Sequence, residues 1–399
     1  MANTLLTPTM VTREALRILH QKLNFVGSIN RQYDDSFAKS GAKIGDTLKV
    51  RLPNQYTVRT GATLQVQDTP ETSVSLQIAT QKGVDLNFTS SDLTLSLDDF
   101  STRILKPAMA VLAANIESDA MSMKQSVNQL ASQSTVTAAL TLATVLAGRR
   151  RLTDSLTPQD GRVANIATQM QVDLVDGLKA LFQDSGQLST QYKEGRMGRS
   201  AGFDFFENTM WTQFTTGSET ATISINGSNQ TGATLTVTNG SSKTLKLGDV
   251  ITLVGCNAVH PETKADTGRL MQFVVTADLS SSGTQLSISP SIVTSGATQN
   301  VAASPTTAQA ITKVGAGASG IRDEGLLYHP DFATFATADL VMPSGVDFGA
   351  REVQDGISLR IVRMYDINND KFPCRLDVLY GYKVLRQQLA CRVSANSTV

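Results

Sequence analysis

The segment between Gly217 and Thr312 differs sharply in composition from the rest of this chain. It is rich in Ser, Thr and Gly, and it carries about half the charge density of the whole chain, in which 18% of residues are charged. Apolar residues alternate with polar ones, which is typical of strands, and the Asn226-Gly227 and Asn239-Gly240 pairs favour tight turns. We therefore expect a small all-β domain, an antiparallel barrel or sandwich, inserted into a host domain that resumes after it. The expected strands are Ala221–Ile225, Thr234–Thr238, Val250–Val254, Met271–Thr276 and Gln285–Ser289.

The host sequence mixes helical and extended periodicities. Apolar residues at helical spacing predict helices over Thr12–Leu23 and Val172–Phe182, and a helix of five or more turns from near Pro107 to about Leu130. Capping residues precede the long helix at Thr89–Asp92 and Ser96–Asp99. After the insert, we expect Leu326–Leu340 to be helical in part, Ser358–Tyr365 to be a strand, and Leu376–Leu379 with Ala390–Val393 to complete a C-terminal sheet.

Two alternating segments near the N-terminus predict a long hairpin. Gly45–Pro53 and Ser73–Ile78 read as strands that pair, and the polar segment Asn54–Thr72 joins them. A connection of this length with few apolar residues suits a loop that lies on a partner.

Charge and cysteine content exclude several classes of protein. Thirty-five basic residues balance thirty-five acidic ones, so no overall field favours a polyanion. No secretion signal or membrane-spanning stretch is indicated. Three unspaced cysteines fit thiols used as small apolar groups rather than a disulfide framework.

Motifs with chemical meaning are weak. Gly315, Gly317 and Gly320 form a G-x-G-x-x-G, but Asp323 and Glu324 place two carboxylates beside the supposed phosphate site, so we interpret the segment as a flexible return linker from the insert. The three histidines, His20, His260 and His329, have no other metal-ligating residue at a suitable spacing. No nucleophile motif occurs. The sequence therefore predicts no catalytic, cofactor-binding or metal-binding residue, and a protein that is not an enzyme.

Arg149, Arg150 and Arg151 form the single basic run. Nucleic-acid binding would call for aromatic residues between them, and none is near, so a solvated loop or a contact with an acidic neighbour is expected. A chain with long exposed segments and no convergent chemistry favours assembly over catalysis. Tyr56 and Arg59 of the hairpin, with the three arginines, are the candidate residues of a subunit interface.

The host halves carry six short, specific motifs. They are Leu95–Ala120, Tyr192–Gly217 with its Gly-Arg and Phe-Asp-Phe-Phe elements, Leu326–Ala333, Leu359–Arg363, Arg375–Lys383 and Leu389–Val393. In sequence and in order these motifs resemble those of the coat proteins of P22-like tailed phages, and the similarity covers most of the chain outside the insert.

The resemblance implies an α+β protein of the HK97-type capsid fold with an inserted small all-β domain. It implies an N-terminal arm over residues 1–41, an extended loop and peripheral domain with a spine helix over 42–135, and a first part of the axial domain over 136–216. The inserted β-barrel-like domain would span 217–312, and 313–399 would hold the rest of the axial domain and strands that return to the peripheral domain.

The function implied is that of a major capsid protein, which forms pentamers and hexamers of an icosahedral shell around a phage genome. A separate scaffolding protein, a portal protein and weakly held double-stranded DNA are the expected partners, without a membrane or a cofactor. Assembly is expected in the host cytoplasm, with the product in the virion capsid.

Two other interpretations stay open at this stage. An encapsulin-like compartment shell would share the fold, although such shells usually lack a β insert. An adhesin or carbohydrate-binding protein would use the insert as its binding module, but Phe273 is the sole aromatic residue between Thr215 and Thr312, and no secretion signal is present.

Overall fold

The fold was obtained as a computed structural model. It describes residues 8–33, 47–64, 66–68, 72–88, 101–132, 139–178, 198–240, 242–315, 317–346, 348–354, 356–367 and 371–395. Several predictions concern residues outside these ranges: the capping residues at 89–92 and 96–99, the end of the helix expected up to Phe182, much of the arm, and the family-like residues 192–197.

Five α-helices lie in the described ranges, together with short helical turns of other types. The α-helices are α1 (Pro8–Lys22), α2 (Phe25–Ser28), α3 (Lys106–Met121), α4 (Leu142–Asp154) and α5 (Thr168–Leu178), the last of which reaches the edge of a described range. A π-helical turn (Ser101–Leu105) precedes α3, and 3-10 turns occupy Ser122–Ser126, Pro330–Phe332 and Gln387–Leu389.

Strands dominate the described residues, which makes the protein an α+β fold, as the sequence predicts. In chain order they are β1 (Asn30–Tyr33), β2 (Thr47–Arg51), β3 (Ser73–Gln77), β4 (Thr80–Phe88), β5 (Leu130–Ser132), β6 (Val163–Ile166), β7 (Arg199–Ser200), β8 (Phe203–Glu207), β9 (Phe214–Thr215), β10 (Ser224–Ile225), β11 (Gly232–Thr238), β12 (Val250–Val259), β13 (Asp266–Val275), β14 (Gln285–Ile292), β15 (Ile311–Lys313), β16 (Ile321–Tyr328), β17 (Ala333–Ala338), β18 (Phe348–Gln354), β19 (Ile357–Arg363), β20 (Phe372–Val384) and β21 (Ala390–Ala395).

The chain divides into two compact units. The first comprises Met1–Arg51, Ser73–Met121 and Ala333–Leu385, and the second comprises Leu52–Thr72, Ser122–Phe332 and Arg386–Val399. Each unit therefore draws on segments that are far apart in sequence.

A six-stranded sheet organises the first unit, in the order β1-β17-β20-β19-β18, with β4 also paired to β20. Helix α1 packs on β18 and β19 and also against α3. The Glu117 carboxylate of α3 accepts hydrogen bonds from the backbone N–H groups of Phe25 and Val26 at 3.1 and 3.3 Å, so it satisfies donors at the start of α2. The predicted hairpin is confirmed at its base, where β2 and β3 pair antiparallel.

The second unit contains a seven-stranded sheet and a separate β domain. The sheet runs β5-β21-β16-β6-β8-β7, with β9 paired to β16, and we call it the host sheet. Helix α4 packs on β21 and β5. Together these elements bury an apolar core that includes Val145, Leu152, Leu327 and Val393.

The inserted segment forms a closed barrel. Its strands follow the antiparallel order β10-β11-β14-β13-β12-β15, and the bridge between Ser224 and Ala310 joins the two ends of that order. All five strands expected in the insert are present, and β15 is added to them. The barrel has its own core, because alternate residues of strands with period two point to one face. Of the barrel and sandwich left open by the sequence, the structure adopts the barrel.

Three predictions about host elements need correction. Helix α3 ends at Met121 rather than near Leu130. Met123, Val127 and Leu130 beyond it are nevertheless buried, so the apolar spacing continues through a 3-10 turn and into β5 and imitates a longer helix.

Between Leu326 and Leu340 only Pro330–Phe332 is helical, and the rest belongs mainly to β16 and β17. All six residues of β17 are buried, and a short, fully buried strand cannot be told from a buried helix by periodicity. The two C-terminal strands do not form one sheet, since β20 belongs to the sheet of the first unit and β21 to the host sheet.

Candidate functional site

The hairpin segment from Leu52 to Asp68 exposes apolar side chains. Val58 is 92% exposed, and Tyr56, Leu64 and Val66 are exposed as well. The Gln67 side chain bridges the segment, because its Oε1 accepts from the Thr57 N–H at 2.9 Å and its Nε2 donates to the Thr57 carbonyl at 2.5 Å. A loop that is held in one conformation by hydrogen bonds and exposes apolar side chains to solvent is suited to binding a partner protein.

Arg59 helps to shape the tip of this hairpin. Its guanidinium donates to the carbonyl oxygens of Gly61 and Thr63, the latter at 3.3 Å. Gly61 has a φ of +95°, a left-handed conformation that favours glycine. Of the two candidate residues in the hairpin, Tyr56 is therefore the exposed contact group, whereas Arg59 organises the loop.

The three consecutive arginines lie on helix α4, so the expectation of a solvated loop is wrong. The expected acidic neighbour is present: Arg150 Nε lies 4.0 Å from Asp154 Oδ2. Arg151 is half-buried, and its withdrawal from water lowers the pKa of its guanidinium. Among the described residues, no hydrogen bond or ion pair joins Tyr56 or Arg59 to these arginines, so the structure does not assemble the five candidates into one site.

The two crossings between barrel and host form a hydrogen-bonded junction rather than the flexible linker expected from the sequence. We call the residues Thr216–Gly217 and Lys313–Gly320, as far as they are described, the domain junction. The Lys313 ammonium donates to Thr216 Oγ1 at 2.8 Å and to the carbonyls of Gly217 and Gly317 at 2.5 and 2.7 Å. Thr216 N–H also donates to the Gly320 carbonyl at 3.0 Å. Two glycines of the apparent nucleotide motif, Gly317 and Gly320, thus serve this junction through their carbonyl groups.

A buried ionic cluster lies beside the junction. Glu324 of β16 is fully buried, and its Oε1 accepts from Arg322 Nε at 3.1 Å and lies 3.4 Å from Arg392 Nη1. Lys124 Nζ lies 3.4 Å from Glu324 Oε2 and donates to the Thr212 carbonyl at 2.9 Å. Burial alone would raise the pKa of Glu324, but Arg392, Arg322 and Lys124 together outweigh that effect and hold this pKa below its usual value.

Several side chains fix the barrel to the host. Arg392 Nη2 donates to the Gly248 carbonyl at 2.6 Å. Gln272 of β13 bonds to the backbone of Leu130, and the Asn128 amide donates to the Gln272 carbonyl at 2.9 Å. At the surface, Arg269 Nη1 lies 2.6 Å from Asp154 Oδ2. These contacts lie in both the buried and the solvent-exposed parts of the boundary between barrel and host.

The residues of this cluster do not stand out in the sequence. Arg392 and Lys124 belong to no motif with a chemical role, and Glu324 appears there only as a carboxylate unfavourable to phosphate binding. The one available signal was a charged residue inside an apolar strand, as in Leu389-Ala-Cys-Arg-Val, because a charge there needs a buried partner.

The histidines have local roles where their side chains are described. His260 Nδ1 accepts from the Glu262 and Thr263 N–H groups at 3.3 and 3.2 Å, and His329 Nδ1 accepts from the Asp331 N–H at 3.3 Å. The side chain of His20 lies outside the described set. Within the described ranges, no group of three or more His, Cys, Asp or Glu side chains is arranged to hold a metal ion. No described helix has the length and apolarity to cross a bilayer.

A family model matches nearly the whole chain. Residues 8–391 match the family described as "P22 coat protein - gene protein 5". No curated protein sequence matches the chain.

Solved structures with similar chains come mainly from phages. Mycobacterium phage Che8 gives 13% identity over 93% of this chain and 90% of that chain, with a TM-score of 0.46. The capsid of Ralstonia phage GP4 gives 7% identity over 95% and 92%, also with a TM-score of 0.46. The CUS-3 coat protein I-domain is 31% identical over 24% of this chain and 97% of that chain, with a TM-score of 0.19.

Proposed function

The chain belongs to the P22 coat protein family and is a major capsid protein of HK97-type fold, and we propose that its copies close into the icosahedral shell that encloses the genome of a tailed phage. The family match over residues 8–391 is the observation that carries this proposal. The role is structural, and we propose that the protein catalyses no reaction.

The mode of assembly that we propose uses heterologous contacts, in which a surface of one subunit meets a different surface of the next. Such contacts close into rings of five and six subunits without a self-complementary patch. The hairpin with Tyr56 and Val58 is the proposed contact segment. Burial of its exposed apolar side chains would stabilise a contact between subunits. Many weak contacts of this kind give a stable closed lattice.

The basic helix is the second proposed contact region. Arg150 is exposed on α4, while Arg149 is partly covered and Arg151 is half-buried. We propose that Arg149 and Arg150 contact acidic side chains of a neighbouring subunit, and that the half-buried Arg151 stabilises the packing of α4 within its own subunit.

The domain assignment follows the order expected from the sequence. We propose the arm over 1–41, the extended loop and peripheral domain over 42–135, the axial domain over 136–216 and 313–399, and the inserted barrel over 217–312. The compact units support one refinement: residues 333–385, which group with the first unit, would be the strands that return to the peripheral domain.

The partners proposed are those that shell assembly requires. A separate scaffolding protein would guide closure, a portal protein would occupy one vertex, and packaged double-stranded DNA would be held weakly, consistent with a net charge of zero. Assembly in the host cytoplasm and residence in the virion capsid complete the proposal.

Electron microscopy of the purified full-length protein, with and without its scaffolding protein, tests the proposal. Closed shells of uniform size are expected, and a stable monomer that never assembles would contradict it. Deletion of Gly217–Thr312 tests the insert separately, since we propose that the barrel guides folding and braces neighbouring subunits. Unchanged folding and unchanged shell geometry would reject that role.

A further inference from the structure

The barrel contains the sequence Asn-Gly-Ser twice. One copy begins at Asn226, directly after β10, and the other begins at Asn239, directly after β11. In an Asn-Gly pair the glycine nitrogen can attack the side-chain amide carbon, because glycine has no side chain in the way and leaves the backbone free to rotate. Asparagine is accordingly one of the thermolabile residues of proteins. Since both copies carry the same reacting groups, a difference in their rates must come from the fold.

The Asn226 side chain is free to react. Asn226 is exposed, and among the described residues neither its side-chain amide nor the Gly227 N–H has a hydrogen-bond partner. The attacking nitrogen and the carbon that it attacks belong to adjacent residues, so no other group has to approach them. Rotation of the Asn226 side chain and of its Cα–C bond is enough to bring them together.

The Asn239 side chain is held at both of its polar atoms. Its Oδ1 accepts from the Lys243 N–H at 3.0 Å, and its Nδ2 donates to the Lys243 carbonyl at 2.7 Å. The same Nδ2 lies 3.3 and 3.2 Å from the carbonyl oxygens of Ser280 and Ser281. The Gly240 nitrogen can reach the amide carbon only after these hydrogen bonds break, which slows the reaction at this copy.

Gln230 restrains the turn that contains Asn226. Its Nε2 donates to the carbonyl oxygens of Asn226 at 2.7 Å and Gly227 at 3.0 Å, and its Oε1 accepts from the Thr236 N–H at 2.6 Å. The two carbonyl groups lie on either side of the attacking nitrogen, so the rotation that starts the reaction has to loosen their contacts with Gln230. Because water can replace hydrogen bonds at an exposed turn, Gln230 slows the reaction without preventing it.

We propose that Asn226 is a site of spontaneous deamidation in the folded protein, that Asn239 is protected, and that Gln230 limits the rate at Asn226. The Gly227 nitrogen loses its proton and forms a bond to Asn226 Cγ. The bond from Cγ to Nδ2 breaks, and the departing nitrogen takes up a proton and leaves as ammonia. Water then opens the cyclic imide at either of its two carbonyl groups, which gives aspartate or isoaspartate.

The products change the surface of the barrel. Each event adds one negative charge to a chain whose formal net charge is zero. Isoaspartate also adds one atom to the backbone, next to the point where the Asn226 N–H donates to the Thr236 carbonyl at 3.0 Å. The deamidated fraction therefore increases with the age of a subunit. The reaction needs no partner, so the inference is independent of the proposed assembly.

Peptide mass spectrometry of the full-length subunit, incubated at mildly alkaline pH and then digested, measures the deamidated fraction at each site over time. In the folded protein the rate at Asn226 should exceed that at Asn239 about tenfold or more. In urea the two rates should converge, since the fold that separates them is lost.

Gln230→Ala should raise the rate at Asn226 about threefold or more and leave the rate at Asn239 unchanged. Gln299→Ala is the matched control. It removes a glutamine of the same barrel whose amide donates to the Val301 carbonyl and contacts neither asparagine among the described residues. It should change neither rate.

Three results overturn the proposal. They are equal rates at the two sites in the folded protein, an intact Asn226 after a time in which the unfolded chain is deamidated there, and an equal effect of Gln230→Ala and Gln299→Ala on Asn226. If Gln230→Ala does not fold, the wild-type rates at the two sites, compared with and without urea, decide alone.

Discussion

The side-chain amide of Gln272 pairs with the backbone of Leu130 as a neighbouring strand residue would. Leu130 N–H donates to Gln272 Oε1 at 2.8 Å, and Gln272 Nε2 donates to the Leu130 carbonyl at 3.1 Å. Leu130 begins β5, the edge strand of the host sheet, so one side chain of the barrel satisfies both polar groups of an edge residue.

Gln272→Ala should destabilise the subunit by about 2–4 kcal/mol, because it leaves the N–H and C=O of Leu130 buried without partners. Urea unfolding followed by circular dichroism measures the change. Gln169→Ala is the control, since Gln169 is exposed on α5 and bonds only to Asp173 among the described residues. Its expected effect is within about 0.5 kcal/mol. Equal effects of the two substitutions would show that the Gln272 pair contributes little.

Gly217→Ala should distort the domain junction. A Cβ at this position would clash with the Thr244 carbonyl oxygen and would lie 2.7 Å from Leu245 Cα, and both obstacles are backbone. The expected cost is about 1–3 kcal/mol or more, measured as a lower urea midpoint. Gly177→Ala provides the contrast, because nothing lies within 4 Å of its added Cβ and it sits in α5, where alanine is favoured by about 0.5–1 kcal/mol.

Glu324 should make stability depend on acid pH. Since the surrounding cations hold its pKa in the folded state below the usual value near 4.5, it stabilises the fold above that value. This contribution is lost as the pH falls from about 4.5 through the folded-state pKa. Glu324→Gln should remove this part of the acid dependence and should cost about 3–5 kcal/mol at pH 7, because the cations lose their counter-charge.

The free energy of unfolding, measured between pH 7 and pH 3, separates the loss of acid dependence from the loss of stability at pH 7. The exposed Glu262→Gln variant should keep the wild-type acid profile. A Glu324→Gln protein with that same profile would rule out the assigned linkage.

Val58→Asp should reduce shell assembly at least tenfold without unfolding the subunit. A valine that becomes buried contributes about 1.5–3 kcal/mol per contact, and a charge placed in such a contact opposes its burial. The yield of shells is measured by sedimentation and the subunit fold by circular dichroism. Val58→Ile keeps the apolar surface and should assemble normally. If Val58→Asp assembled into normal shells, the hairpin tip would not be a contact between subunits.

The three cysteines should be unreactive in the folded protein. Cys256, Cys374 and Cys391 are free and buried, and burial raises their thiol pKa values to about 11, about 12 and about 11. A thiol reagent at pH 8 should label none of them before unfolding and all three in urea. Shells should likewise release only monomers in SDS without a reducing agent. Rapid labelling of the native protein, or a ladder of larger species, would contradict these expectations.

Elements with a clear period were predictable from the sequence. Alternation located all five barrel strands but not their lengths, since β10 has two residues and β12 and β13 have ten each. Strands β2 and β3 pair as expected because both flank one polar loop. The end of α3 was not predictable, since its apolar spacing continues into residues that the 3-10 turn and β5 also bury.

The cluster around Glu324 could not be derived from local patterns. Arg392 is 68 residues away in sequence, and Gln272 and Leu130 are 142 residues apart, so neither pair shares a local window. Their meeting depends on the antiparallel pairing of β16 with β21 and on the seating of the barrel, which are properties of the tertiary fold.

The domain junction also makes the inserted segment exchangeable. Thr215 pairs with Ile321, and Thr216 bonds to Gly320, so the chain leaves and rejoins the host at neighbouring points. A foreign domain whose own termini lie equally close could replace the barrel without rerouting β9 or β16. Such a graft must still supply a carbonyl for Arg392, which in this protein comes from Gly248.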